Sequence, residues 1–158
     1  PSIEDWLDQE ITKIRKHTQR KIMIRPHPRS PVNPAIIRDL NFRHKNVELN
    51  YPVRLAQTYD EFDYETVLER THCVISYSSN PGLQAIIAGV PAFVGPESLA
   101  LPVSNTDYSR IETPKMPDRT QWFNNLLYTE YFLDEISDGL PLVRLLPKLE
   151  ELVLAQNK

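Results

Sequence analysis

The stretch His72-Cys73-Val74-Ile75-Ser76-Tyr77-Ser78-Ser79-Asn80-Pro81-Gly82-Leu83, running on through Ile86-Ile87-Ala88-Gly89-Val90-Pro91-Ala92-Phe93-Val94, decides the fold. His72 to Ser76 is a short, β-branched apolar run that predicts a strand. Pro81 suits the first turn of a helix, which carries Leu83, Ile86 and Ile87 before Gly89 ends it. Pro91 to Val94 reads as the next strand, closed by Gly95-Pro96. Strand, helix and strand in this order imply parallel pairing through a right-handed crossover.

The same alternation extends upstream. Lys21-Ile22-Met23-Ile24-Arg25 reads as a buried strand stopped by Pro26, and Pro34 to Leu40 as a short helix. Val47-Glu48-Leu49 is a weaker strand, stopped by Asn50-Tyr51-Pro52, and Asp63 can cap a short helix through Arg70. Residues 3–18 place Trp6, Leu7, Ile11 and Ile14 on one helical face, acids early and bases late. Downstream, Asp118-Arg119-Thr120-Gln121 has capping-box spacing, Gly139-Leu140-Pro141 ends a helical region, and Leu142 to Leu154 forms a last amphipathic helix. The expectation is an α/β fold: one domain over 1–158, with an open parallel, Rossmann-like sheet of about four or more strands, flanking helices and a helical C-terminal region.

Composition narrows the function. The 158 residues are 41% hydrophobic and 25% charged, ordinary for a globular chain. There are 14 prolines and 4 glycines, where about eight and about eleven are average. Neither a G-x-G-x-x-G fingerprint nor a Walker loop is present. Cys73 is the single cysteine, which excludes an internal disulfide, and no histidines and carboxylates share metal-ligand spacing, so no protein-held metal is expected. No apolar run reaches the roughly 20 residues of a membrane span, and the N-terminal Pro-Ser-Ile-Glu-Asp does not read as a signal peptide. A cytoplasmic location, free or peripheral at the inner membrane, is the expectation.

Net charge is -3, without a global nucleic-acid signature. Yet Ile11 to Arg38 holds no acid, and Lys13, Arg15, Lys16, Arg20, Lys21, Arg25, Arg29 and Arg38 are basic. That stretch is either a solvated face or a positive field around an anion.

Ligands of open parallel sheets bind beyond the carboxyl ends of the strands. The segments there are Arg25-Pro26-His27-Pro28-Arg29-Ser30, Asn50-Tyr51, Tyr77-Ser78-Ser79-Asn80 and Gly95-Pro96-Glu97-Ser98. All are rich in polar donors. The third runs into a helix N-terminus, where free N–H groups favour an anion; equally, Ser79 or Asn80 can serve only as the cap. His27, fixed between two prolines and flanked by Arg25 and Arg29, is suited to donate a hydrogen bond or a proton to a phosphate. His72 at a strand start reads as packing.

These residues carry a resemblance. Arg25-Pro26-His27-Pro28 resembles the His-Pro motif of bacterial sialyltransferases, polysialyltransferases and capsule Kdo transferases. Ser76-Tyr77-Ser78-Ser79 resembles their serine motif, and also the Tyr-Ser-Ser segment of teichoic-acid glycerophosphotransferases, which act on CDP-glycerol. A serine loop, a helix and then Gly89-Val90-Pro91 is similar to the pattern of GT-B glycosyltransferases. The overlap runs from Lys21 to Gly95.

The resemblance implies a donor-binding, C-terminal half of a two-domain enzyme of polysaccharide biosynthesis. His27, Ser78 and Ser79 would contact the phosphate of a CMP- or UDP-linked sugar, with Arg25 or Arg29 adding charge; from their place on the loops after the third and fourth strands, Asn80, Glu97 and Ser98 are further candidate donor-binding residues. His27 is the candidate catalytic group, chiefly by stabilising the leaving nucleotide. The nucleotide-sugar is a co-substrate, and no cofactor is implied. In these families the catalytic base comes from an N-terminal acceptor-binding domain, so this chain is expected to be inactive without one, its acceptor a glycan or other molecule. A reading from another class is a non-catalytic module that binds nucleic acid or another anion through Lys13 to Arg38. Finally, Tyr108, Trp122, Phe123, Tyr128, Tyr131 and Phe132 form a dense aromatic set whose default role is core packing, the alternative being to cover the cleft or meet the other domain.

Overall fold

The computed structural model describes residues 2–29, 32–56 and 61–156. Two compact units follow one another along the chain, residues 1–118 and 119–158.

The first unit begins with helix α1 (Ile3–Arg15). Its start is a capping box: Asp5 N–H donates to Ser2 Oγ at 3.1 Å and Ser2 N–H to Asp5 Oδ2 at 3.2 Å. Leu7, Ile11 and Ile14 are its buried face. Strand β1 (Ile22–Ile24), helix α2 (Pro34–His44) and strand β2 (Val47–Leu49) make the first strand–helix–strand unit. β1 and β2 are parallel, with Ile22 opposite Val47 and Ile24 opposite Leu49. Leu7 and Ile11 pack with Ile24, Val32, Ile37, Leu40 and Val47 into one core.

Helix α2 outruns its predicted end at Leu40 by a turn, reaching His44. Arg15 explains how that turn is held. Its guanidinium donates to the carbonyls of His44, the last residue of α2, and of Lys45 and Asn46 beyond it, and to those of Thr18 and Arg20 after α1. Cationic capping of helix-end carbonyls is favourable. Here it also secures Lys45 and Asn46, both in the left-handed region at φ 55° and 50°.

The second strand–helix–strand unit follows the short helix α3 (Tyr64–Leu68). It comprises β3 (Val74–Ser76), α4 (Asn80–Ala88) and β4 (Ala92–Val94). β3 and β4 are parallel, with Val74 opposite Ala92 and Ser76 opposite Val94. Gly89 ends α4 at φ 85°, as its position in the sequence predicts. Gly82 lets α4 lie close on the strands: a Cβ there would sit 3.0 Å from Val94 Cγ1 and 3.2 Å from Ser76 Cβ. Asn105 bridges to Phe93 in parallel, its N–H donating to Ala92 O at 2.8 Å and its carbonyl accepting from Val94 N–H at 3.1 Å. Phe93 is buried with Ile14 and Ile111, its ring 5.5 Å from that of Tyr108.

The expected single sheet of four strands is corrected by the hydrogen bonding. Among the described residues there are two parallel sheets of two strands, β1–β2 and β3–β4. Each strand is three residues long and pairs with its own crossover partner. Side chains, not ladder bonds, connect the pairs: Ile22 of β1 packs on the cluster of Phe93, with Ile75 of β3.

The second unit holds α5 (Thr120–Thr129), α6 (Leu133–Ser137) and α7 (Leu140–Gln156). Arg119, one residue after the expected Asp118, occupies the cap position of α5, with no cap bond from its side chain. Gly139, at φ 76°, precedes α7, which begins at Leu140 with Pro141 in its first turn, where the missing N–H costs nothing. Arg144 of α7 stacks over the rings of Tyr128 and Tyr131, at 5.2 and 5.7 Å. The aromatic set therefore divides. Tyr108 packs in the first unit, while Tyr128 and Phe132 are exposed, Phe132 at 81%.

Candidate functional site

A cavity of about 180 Å³ opens beyond the carboxyl ends of β1 and β2. Pro26, Pro28, Pro52 and Phe62 give it apolar walls, and His27, Arg29, Tyr51 and Arg54 give it polar ones. Whole ligands of drug size occupy about 300 Å³ or more, so this space suits one group of a larger molecule, such as a phosphate or a small ring.

The prolines on both sides of His27 restrict its backbone. Its Nδ1 accepts the Arg29 N–H at 3.1 Å. A neutral imidazole with Nδ1 accepting carries its hydrogen on Nε2, which can then donate to an oxyanion. The ring is exposed. Ser30, the last residue of this predicted loop, lies outside the described residues. Two further lining residues, Arg54 and Phe62, face each other across an antiparallel bridge, with the guanidinium 5.8 Å from the ring centroid. The sequence reading stops at Tyr51 and misses both. The signal was partial: Pro52 ends the strand-like run, which leaves Arg54 on the same rim.

Arg25 is placed differently from a ligand contact. Its side chain is 15% exposed and donates to Asp63 Oδ1 and Asn50 Oδ1, each at 2.5 Å. Asp63 stands at the cap position of α3, which ends at Leu68 rather than Arg70, but its carboxylate makes no cap bond. Instead it accepts from Arg25 and from Val53 N–H at 2.9 Å. The guanidinium bond, reinforced by Val53, holds its carboxyl below the usual aspartate range against the opposing effect of burial. Beside it, burial pushes the Tyr64 phenol up to about 12, so at neutral pH it is a hydrogen-bond donor, bonded to Pro81 O at 2.9 Å.

The serine loop sits at the entrance to α4. Ser79 is at the cap position without a cap bond, and its hydroxyl lies 2.8 Å from that of buried Ser76. Ser78 and Asn80 are exposed. After β4, Glu97 is exposed, whereas Ser98 is buried and its hydroxyl accepts Ala100 N–H at 3.2 Å. His27 and Arg29 are thus the two predicted residues that line the cavity; Arg25, Ser78, Ser79, Asn80, Glu97 and Ser98 do not.

The basic stretch is largely committed to internal partners. Lys13 pairs with Glu10, Arg20 with Glu112, Lys21 with Glu48 and Arg25 with Asp63, while Arg15 holds carbonyls. At least five of its eight cations are therefore engaged within the chain, which reduces the field available to a nucleic acid. His44 Nε2 contacts Asp8 Oδ1 at 2.6 Å, and His72 Nε2 bonds the Ile111 carbonyl at 2.8 Å. Burial pushes the Cys73 thiol up to about 11, away from nucleophilic use. Among the described residues no cluster of three metal-ligating side chains occurs, and no helix is long and apolar enough to cross a membrane.

No protein-family model, curated protein or solved structure matches this chain.

Proposed function

We propose that this chain is the donor-binding part of a nucleotide-sugar glycosyltransferase, holding the donor's phosphate during transfer to a glycan or other acceptor. The observation that carries this reading is the cavity beyond β1 and β2, where His27, Arg29, Arg54, Tyr51 and Phe62 meet. Its chemistry suits an anion attached to a flat ring. His27 Nε2–H and the guanidinium groups would hold the phosphoryl oxygens and stabilise charge on the departing nucleotide, an electrostatic contribution. Phe62 and Tyr51 offer ring faces for a base or sugar.

The two strand–helix–strand units are, on this reading, parts of one Rossmann-type sandwich, and the exposed Ser78 and Asn80 hydrogen-bond a second portion of the donor. Acceptor and general base would come from another domain, since Glu97 does not line the cavity.

Thermal unfolding with CMP, UMP, UDP and their sugar conjugates tests the proposal. A cytidine or uridine nucleotide is expected to raise the melting temperature by mass action. His27→Ala and Arg54→Ala should abolish the rise. If none of these nucleotides at millimolar concentration moves the wild-type curve, the proposal fails.

A further inference from the structure

We infer that Arg25 is a positioning residue: acting through Asn50 and Asp63, it holds the Tyr51–Arg54 wall of the cavity at both ends. The inference deepens the nucleotide-binding reading and, for its effect on ligand, rests on it.

One guanidinium reaches both anchor points. Nη1 donates to Asn50 Oδ1 and Nη2 to Asp63 Oδ1, each at 2.5 Å. Asn50 is itself fixed, its N–H donating to the Ile24 carbonyl at 2.9 Å. At the other end Asp63 grips Val53 twice. Its Oδ1 accepts Val53 N–H at 2.9 Å, and its own N–H donates to the Val53 carbonyl at 3.0 Å. Between the anchors lie only Tyr51 and Pro52, both of them cavity walls. Beyond Val53, Leu55 N–H donates to Glu61 O at 2.9 Å, which sets Arg54 opposite Phe62.

The ligand-facing side chains thus inherit their positions from a group that does not line the cavity. Arg25 also lies 5.7 Å over the ring of Tyr64, whose hydroxyl holds the Pro81 carbonyl at the entrance to α4. The low exposure of Arg25 and Asp63, 15% and 23%, keeps solvent from competing strongly for the pair. Lysine lacks the planar fork that fixes two acceptors in one geometry.

The full chain serves for the test, with two readouts. Hydrogen–deuterium exchange at Val53 reports the clamp, with Ile11 and Leu40 as reporters of the intact core. Calorimetric titration with CMP reports the site. Arg25→Ala and Asp63→Ala are each expected to speed Val53 exchange about tenfold or more while Ile11 and Leu40 stay protected. Each should weaken CMP binding by a similar factor, and the double variant should be no weaker than either single one. Multiplying losses in the double variant mean that Arg25 touches the ligand directly, and overturn the inference. So does unchanged Val53 exchange in Arg25→Ala. Should that variant not fold, Arg25→Lys takes its place, with Val53 exchange raised in a native core as the expected result and unaltered exchange as the refutation. Wild-type protein that binds no CMP counts against the nucleotide reading alone, because Val53 exchange still decides the clamp.

Discussion

Asp63 shows how much one carboxylate can organise. It accepts hydrogen bonds from Arg25 and Val53 and is held below the ordinary aspartate range. A depressed folded pKa stabilises the fold at pH values above the unfolded one, about 3.9, and that contribution disappears as pH falls through the folded value. Urea midpoints of wild type and Asp63→Asn, followed from pH 7 downward, should therefore converge below about pH 4. Asp8, Asp107 and Glu112 are also held low but are common to both proteins, so the difference isolates Asp63. A gap that stays constant across that range contradicts the assignment. None of this is legible in the local sequence, where Asp63 precedes a helix and invites a capping role. Its true partner is 38 residues away, and side-chain reach across the fold decides between the two uses. His27 and Arg29 were legible because prolines and a strand end fix their place on the rim.

At the scale of elements, all four strands emerged within two residues of their predicted bounds, since β-branched runs between prolines and glycines are local signals. Their assembly into two pairs was not legible: three-residue strands leave the choice of partner to packing among distant side chains. The fit of α4 on its strands is close enough to test. Gly82→Ala would gain about 1 kcal/mol of helix propensity, but the new methyl meets Val94 and the Cβ of Ser76, both buried and attached to paired strands. The Cβ of Ser76 cannot retreat without shifting backbone, and the Val94 methyl can only turn within a buried site. Overpacking should prevail, with a net loss of about 1–2 kcal/mol in urea unfolding. A stabilised variant shows that α4 can move away from the sheet.

At the scale of the whole molecule, the buried apolar side chains among the described residues lie no later in the chain than Ile111. A fragment ending at Asp118 is therefore expected to unfold cooperatively in urea and to keep any nucleotide-dependent rise in melting temperature; a broad, non-cooperative transition would mean that α5–α7 are needed to complete the core. The cavity is more local still. Its walls all fall between Pro26 and Phe62, and the clamp that supports them between Arg25 and Tyr64. For recombination this makes the pocket one heritable block: a crossover anywhere beyond Tyr64 transfers its walls and their support together. The serine loop, at Ser78 to Asn80, lies outside that block. Chimeras joined between Tyr64 and Ser76 would exchange the serine loop while conserving the cavity.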